Sequence, residues 1–317
     1  MKTSVFLFIF FLFTTAFSVA QNSRITGRVI DRATNKALPY AHIMFQDYKL
    51  GTSTDAQGMF AFNVADSLKS EILIFTHVGY ERELLKIADL EKQRLVPMNA
   101  LTEGLGEVMI TPVQDNKTFT YRPDWRFETV GIGNMNAALY PSTIARYYAK
   151  PDRFDAAAFL KEITIYFYAT EEQKGLSPKF RIHFYNVDEN GLPGKDITQD
   201  IVVTKPVGKN KVDVELLNQK IQIPEEGFYI GLEHLFIKEN EYFEVKDYYI
   251  NNELVAEDYR NKRYGPVYKG VFAPEESNFK VYFFEPGGWV DIRTWDITYN
   301  DREGKYVMPE FRIKITD

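Results

Sequence analysis

The sequence contains no cysteine. It therefore has no disulfide framework and no thiol nucleophile, and it lacks the cysteine that a lipid-anchored lipoprotein carries after its signal segment. Disulfides are needed mainly by secreted domains that are too small to bury a core. With 317 residues, this chain is long enough to build its core without them.

Basic charge and long apolar runs are also scarce. The formal net charge is −6 at pH 7, which argues against nucleic acid or an anionic membrane surface as a partner. The one long apolar run, residues 5–17, follows Lys2 and precedes Ser18-Val19-Ala20. That order is typical of a secretory signal, and the run is too short to span a bilayer. We expect residues 1–20 to be removed, leaving an exported chain with no transmembrane segment.

Catalytic motifs are missing as well. The sequence has no Gly-x-Ser-x-Gly elbow, no phosphate-binding Gly-Lys-Ser/Thr loop and no Gly-x-Gly-x-x-Gly fingerprint. None of its histidines begins a His-Glu-x-x-His or His-x-x-Glu zinc motif. These histidines are His42, His77, His183 and His234. We predict no enzyme and no cofactor, with a metal site assembled from scattered histidines and carboxylates as the open alternative.

The apolar residues that are present alternate with a period of two over short runs, which predicts β-strands. In the first third of the chain, the residues expected to share faces are Ala41 with Ile43 and Phe45, Phe60 with Phe62 and Val64, and Ile72 with Ile74. Only residues 84–92 have a pattern that could form a short helix. The expected class is all-β, beginning with a small β-sandwich.

Turn-forming residues separate these runs. Gly27 inside a strand pattern indicates a close backbone approach, and Pro39 begins a new strand. Gly58 ends the turn at residues 55–58, where a positive φ is expected, and Gly79 marks a second corner. These residues shape the fold, and none of them brings a nucleophile together with a base.

Residues 24–111 resemble the carboxypeptidase regulatory-like domain, a transthyretin-like β-sandwich of secreted and envelope proteins of Bacteroidota. The residues that carry this resemblance are Gly27, Val29, Asp31, Pro39, Ala41, Gly51-Thr52-Ser53-Thr54-Asp55, Gly58, Phe60 and Gly79-Tyr80. In that family the domain is an accessory fold without catalytic residues. The resemblance therefore implies a scaffold rather than a peptidase.

Residues 105–111 also look like the segment that follows this domain in importers built on TonB-dependent barrels. A large barrel needs many alternating strands, and the residues that follow are too few for one. We therefore predict that residues 108–111 form the last strand of the first sandwich. A role as partner subunit of such a transporter stays open.

The remainder of the chain reads as a second domain. A polar, turn-rich segment at residues 112–120 is the predicted linker. Residues 121–317 alternate again, for example at Ile163, Ile165 and Phe167, with no sustained helical period. We predict a larger antiparallel, jelly-roll-like β-sandwich. Residues 184–197 resemble the strand and Gly-x-Pro-Gly corner of many secreted bacterial jelly rolls.

The second domain contains candidate residues for two kinds of binding site. Asp188, Asn190 and Asp196 supply the hard oxygen atoms that Ca²⁺ prefers, although Pro193 and Gly194 interrupt the order of a calcium loop. A solvated turn explains the same residues and is the favoured interpretation.

The second kind of site is aromatic. Trp289 on a Gly-rich turn, Trp295 and Trp125 are candidates for stacking against sugar rings. Aromatic side chains more often fill sandwich cores, so burial in the core is the competing interpretation for each ring.

The sequence therefore predicts a non-catalytic, exported envelope protein in the periplasm or at the outer-membrane surface. Its role would be binding or structural assembly, with a glycan or an envelope protein as partner. The alternative hypothesis is a hydrolase of polysaccharide or peptide whose site lies in the second domain.

Overall fold

A computed structural model describes residues 22–90, 92–101, 112–134, 139–198, 200–250, 253–275, 277–294 and 304–317. The signal segment, the strand predicted at residues 108–111 and Trp295 lie outside the described residues. Within these ranges, no helix has the length and apolar character needed to cross a membrane.

The first part of the chain, here named the N-terminal sandwich, consists of seven strands and one helical turn. Its elements are β1 Asn22–Asp31, β2 His42–Phe45, β3 Gly51–Ser53, β4 Met59–Ala65, β5 Ile72–Thr76, β6 Glu83–Lys86, α1 Ile87–Leu90 and β7 Leu95–Met98. They form two sheets, in the orders β4-β1-β7 and β3-β2-β5-β6. Strands β1 and β7 are parallel, and the other pairs are antiparallel.

The core of the N-terminal sandwich lies between these two sheets. It contains Ile43 and Phe45 from β2 and Phe60 and Val64 from β4, as their alternation predicts. In β5, however, the core residues are Leu73 and Phe75. Ile72 and Ile74 share the opposite, half-buried face of the strand. Four successive apolar residues, Ile72 to Phe75, leave open which face of the strand belongs to the core.

Two glycines serve the purposes that their positions predict. Gly58 adopts a φ of +72°, which closes the turn before β4. A Cβ atom on Gly27 would lie 2.5 Å from Phe60 Cζ. The absence of a side chain at Gly27 therefore lets the Phe60 ring lie against β1. The predicted helix at residues 84–92 is only the single turn α1, since Glu83–Lys86 pairs with β5 instead.

The second part of the chain, here named the C-terminal sandwich, begins at Thr118, inside the predicted linker. Its strands are β8 Thr118–Tyr121, β9 Thr129–Ile132, β10 Thr143–Tyr148, β11 Phe159–Tyr166, β12 Lys179–Val187, β13 Pro193–Asp196, β14 Ile201–Thr204, β15 Lys211–Glu215, β16 Phe228–His234, β17 Glu241–Ile250, β18 Glu253–Tyr264, β19 Tyr268–Pro274, β20 Val281–Glu285, β21 Gly288–Asp291, β22 Lys305–Pro309 and β23 Phe311–Thr316. Short 3-10 turns occur at Asp66–Leu68, Glu171–Gln173, Leu217–Gln219, Lys238–Asn240 and Ile292–Thr294.

Three of the sheets in this part enclose one large core. A seven-stranded sheet runs in the order β13-β12-β16-β10-β20-β21, with β14 paired to β12. A four-stranded sheet (β15-β11-β23-β8) and a three-stranded sheet (β22-β19-β9) contribute to the same apolar cluster. Strands β17 and β18 form a separate two-stranded sheet, here named the arm. The predicted all-β class is confirmed.

Candidate functional site

A group of charged side chains lies on the outer face of the seven-stranded sheet. Ile182 and Phe184 of β12 point into the core, so the alternating residues Arg181 and His183 point outward. The register of β12 and β16 places Arg181 directly opposite Glu233. Arg181 and Glu233 are each only 2% exposed, because the N-terminal sandwich covers this end of the sheet. The group is here named the interdomain network.

Arg181 connects three parts of the chain. One of its terminal nitrogens donates to Glu233 Oε1 at 2.8 Å, and the other donates to the main-chain oxygen of Tyr40 at 2.9 Å. Its Nε donates to Asp200. Tyr40 has a φ of +58°, a left-handed conformation that is uncommon for a residue with a side chain. The contact between the two sandwiches therefore includes a backbone carbonyl as well as side chains.

Glu233 lies at the centre of the network. Its Oε1 is 2.5 Å from His42 Nε2, in addition to the bond from Arg181, and its Oε2 is 2.7 Å from His183 Nε2. Burial would raise the pKa of Glu233, but the charges of Arg181 and His42 and the hydrogen bond from His183 hold that pKa well below its ordinary value. Glu233 is therefore a carboxylate with both oxygen atoms occupied.

His183 lies between two carboxylates. Its Nδ1 is 2.5 Å from Asp196 Oδ2, and its Nε2 bonds Glu233. Carboxylates only accept hydrogen bonds, so both ring nitrogens carry a proton and the ring is a cation. Burial opposes this charge, but Asp196 and Glu233 outweigh it and raise the pKa of His183 to about 9. A ring held in this way has no free nitrogen with which to accept a proton.

The other two histidines differ from His183. His77 lies 3.1 Å from the oxygen of Pro39 and 3.8 Å from Asp200, at the edge of the network. Burial, followed by the charge of Arg181, lowers the pKa of His77. His234 bonds the oxygen of Pro266, and burial lowers its pKa to about 4. His234 is therefore neutral at physiological pH.

Further contacts between the two sandwiches surround the network. The backbone N–H of Phe236 donates to Ser53 Oγ at 3.1 Å, and the Gly51 N–H donates to the oxygen of Leu139 at 2.8 Å. Tyr40 packs in an apolar cluster with residues of the C-terminal sandwich, namely Leu235, Ile237 and Val202. Lys49 forms an ion pair with Glu285 at 2.7 Å. Together these contacts bury the charged group between the two sandwiches.

Trp289, a predicted ligand-binding residue, is linked to this network by an aromatic chain. The Tyr185 ring stacks on His183 at 5.1 Å with an interplanar angle of 9°. Trp289 meets Tyr185 edge-on at 5.5 Å and Phe284 at 5.1 Å. A Cβ atom on Gly231 would lie 2.8 Å from Tyr185 Cε2, so the glycine makes room for the Tyr185 ring. Trp289 is half-buried, on the outer face of the seven-stranded sheet.

Trp125 is not part of this aromatic chain. It is 38% exposed and meets Tyr166 of the four-stranded sheet edge-on at 5.3 Å. The Lys269 ammonium lies 4.7 Å from the centre of its ring. Trp125 thus lies in the turn between β8 and β9 and packs against the four-stranded sheet, whereas Trp289 lies on the seven-stranded sheet.

The candidate calcium ligands have separate roles. Asp188 Oδ1 accepts the backbone N–H groups of Asn190 and Leu192 at 2.9 and 2.8 Å, which closes a turn. Asp196 is bonded to His183 instead. Among the residues that the structure describes, no group of three or more His, Cys, Asp or Glu side chains is arranged to hold a metal ion.

Sequence reasoning did not find the interdomain network. One signal was available, since Arg181 and His183 alternate with the apolar residues Phe180, Ile182 and Phe184 along β12. Such alternation places charged residues on the outer face of a strand, where they meet either solvent or a second domain. The residues of the network are distant in sequence, since His42 and Glu233 are separated by 191 positions.

Comparison with known families identifies the first domain. Residues 25–110 match the family model described as CarboxypepD_reg-like domain. The match ends before the C-terminal sandwich begins, and a comparison with curated proteins gave no match for the chain. Tyr40, His42 and Ser53 thus lie within the matched segment, whereas Arg181 and Glu233 lie outside it.

Proposed function

We propose that this chain is an exported, non-catalytic envelope protein that acts by binding or structural assembly. In this proposal the CarboxypepD_reg-like domain is an accessory domain held at a fixed position on the C-terminal sandwich. The ligand is held by the C-terminal sandwich, which is the larger of the two. The periplasm or the outer-membrane surface is the proposed location, in agreement with the signal expected at residues 1–20.

The observation that carries this proposal is that the charged groups of the interdomain network already have partners within the protein. A hydrolase needs a carboxylate or an imidazole that is free to take up or release a proton near its substrate. Here both oxygen atoms of Glu233 and both ring nitrogens of His183 are engaged within the protein. Arg181 is likewise bonded to Glu233, Asp200 and Tyr40. The geometry suits a structural connection better than a reaction centre.

A glycan is the ligand class that we propose for this surface. Trp289 is half-buried rather than enclosed, and it shares the outer face of the sheet with Tyr185 and Tyr282. Aromatic rings presented in this way pack against the apolar faces of sugar rings. Trp125 is less suitable, because the Lys269 ammonium already lies over its ring.

The test is a glycan array, followed by titration with envelope polysaccharides, using the chain without residues 1–20. We expect binding that Trp289→Ala weakens about tenfold, because an aromatic contact contributes roughly 0.5–1.5 kcal/mol beyond its buried area. Trp125→Ala is the matched control and should leave the affinity unchanged. Absence of binding by the wild-type chain would remove the glycan proposal.

The hydrolase alternative is tested with the same material. Incubation with the polysaccharides and with a peptide library should release no product. Product release that Glu233→Gln abolishes, with the fold retained, would instead make the interdomain network an active site. The non-catalytic proposal would then be wrong.

A further inference from the structure

The arm is the one part of the described chain in which two strands pair only with each other. Strand β17 pairs with β18 from Glu241 opposite Tyr264 to Ile250 opposite Glu253. At about 3.3 Å per residue, strands of this length extend roughly 30–40 Å. An isolated two-stranded sheet is only marginally stable in water, so such an arm gains stability from a partner.

Exposure along the arm increases away from the body of the protein. At its base, Tyr242 and Tyr264 are buried. Further along, Val245 is 54% exposed and Val255 is 55% exposed. Phe243, Leu254 and Tyr259 also present apolar surface to solvent. The arm therefore projects from the sandwich and carries a concentration of exposed apolar side chains, which is typical of an interaction surface.

The two halves of the arm carry opposite charge. Its outer half, residues 247–258, contains four acidic side chains and no basic one: Asp247, Glu253, Glu257 and Asp258. Its inner half contains four basic side chains against two acidic ones. The basic residues are Lys246, Arg260, Lys262 and Arg263, and the acidic residues are Glu241 and Glu244.

Much of the inner half is internally paired. Arg263 Nε lies 3.1 Å from Glu244, and Lys262 lies 3.6 Å from Glu241. Arg260 instead lies over the Phe243 ring, with its guanidinium carbon 3.8 Å from the ring centre. Across the described part of the chain, no cation pairs with Glu253, Glu257 or Asp258. The outer half thus has uncompensated negative charge, and the inner half has excess positive charge.

The charge distribution of one arm complements that of a second arm that runs in the opposite direction. If two arms lie antiparallel about a two-fold axis, the acidic outer half of each meets the basic inner half of the other. Each favourable contact in a two-fold dimer occurs twice, because each surface faces its complement on the other copy. The same arrangement brings Phe243 and Val245 of one copy towards Leu254 and Val255 of the other. We propose that the arm docks on the arm of a second copy of this chain and forms an antiparallel dimer.

The test measures the oligomeric state of the full chain by sedimentation equilibrium over a concentration series. We expect a dimer that dissociates more readily at high salt, because exposed charge pairs are screened. The variants R260E/K262E and E257K/D258K each place like charges opposite one another. Each should raise the dissociation constant at least about tenfold, since like charges at an interface are strongly unfavourable.

Mixing the two variants supplies the decisive comparison. The first variant has an arm with net negative charge in both halves, and the second has an arm whose outer half is neutral and whose inner half stays positive, so together they should form a one-to-one heterodimer. K36E/K209E changes the same number of charges at exposed sites outside the arm and should leave the dimer unchanged. A monomeric wild type, a dimer insensitive to both reversals, or a mixture that stays dissociated would each overturn the proposal. Circular dichroism establishes that every variant is folded.

Discussion

At the scale of single residues, Arg181 meets polar groups of both sandwiches at once. It neutralises two carboxylates, Glu233 and Asp200, and it also bonds the main-chain oxygen of Tyr40. A buried ion pair adds little stability compared with a well-packed apolar replacement. Removing one partner is different, because an uncompensated charge then stays buried.

We therefore predict that Arg181→Met lowers the free energy of unfolding by about 3–5 kcal/mol, the typical cost of leaving a buried charge unpaired. The measurement is equilibrium denaturation followed by fluorescence. The matched control is Lys174→Met, which removes an ion pair to Glu171 in which both side chains are largely exposed, and it should leave stability unchanged. An Arg181→Met variant as stable as the control would show that the network does not stabilise the fold.

At the scale of elements, the pairing of β12 with β16 sets the geometry of the site. A single register places Arg181 opposite Glu233 and His183 opposite Gly231. Gly231 is small enough for the Tyr185 ring to lie across the strand, next to His183. The strand β16 thus supplies both the central carboxylate and the space beside it.

Gly231→Ala should disturb this arrangement. The added Cβ would lie 2.8 Å from Tyr185 Cε2 and 2.9 Å from Thr143 Cγ2, so the Tyr185 ring must move. Overpacking of this kind costs about 1–3 kcal/mol. Gly133→Ala is the control, because its nearest neighbour is Val267 Cγ2 at 3.9 Å. Thermal denaturation compares the two, and equal melting temperatures would contradict the expected contact.

Individual elements also show which features of the fold the sequence predicts. Alternation correctly places Phe60 and Val64 in the core, since polar and apolar residues differ clearly along β4. Alternation does not show which face of β5 belongs to the core, because apolar residues occupy both faces. The interdomain network was out of reach for a different reason. Whether an outward-facing Arg181 meets solvent or a second domain depends on how the two sandwiches dock, and local spacing carries no information about docking.

At the scale of the whole molecule, the interdomain network links domain docking to pH. The pKa of His183 is raised from 6.5 to about 9, so its stabilising contribution is complete below pH 6.5 and is lost as the pH rises through 9. The pKa of Glu233 is lowered below 4.5, so its contribution is complete above pH 4.5 and is lost as the pH falls further. The stabilising contributions of His183 and Glu233 are both complete between pH 4.5 and pH 6.5.

We predict that the protein is most stable within that interval and loses stability on both sides. The alkaline loss should become smaller in His183→Asn, which has no proton to release in this range. Denaturation curves recorded from about pH 2 to about pH 10 measure both effects. An alkaline loss of the same size in His183→Asn would assign it to other groups, and a wild-type optimum above pH 9 would contradict the protonated state of His183.

The bond from Arg181 to the oxygen of Tyr40 has a consequence for sequence variation among relatives of this chain. Every residue type has a main-chain carbonyl, so no substitution at position 40 can delete the acceptor. Position 40 is constrained by its φ of +58° and by packing, and not by the chemistry that Arg181 recognises. An alignment of relatives would therefore show covariation among positions 181, 200 and 233 and none between 40 and 181, although the last two are in direct contact.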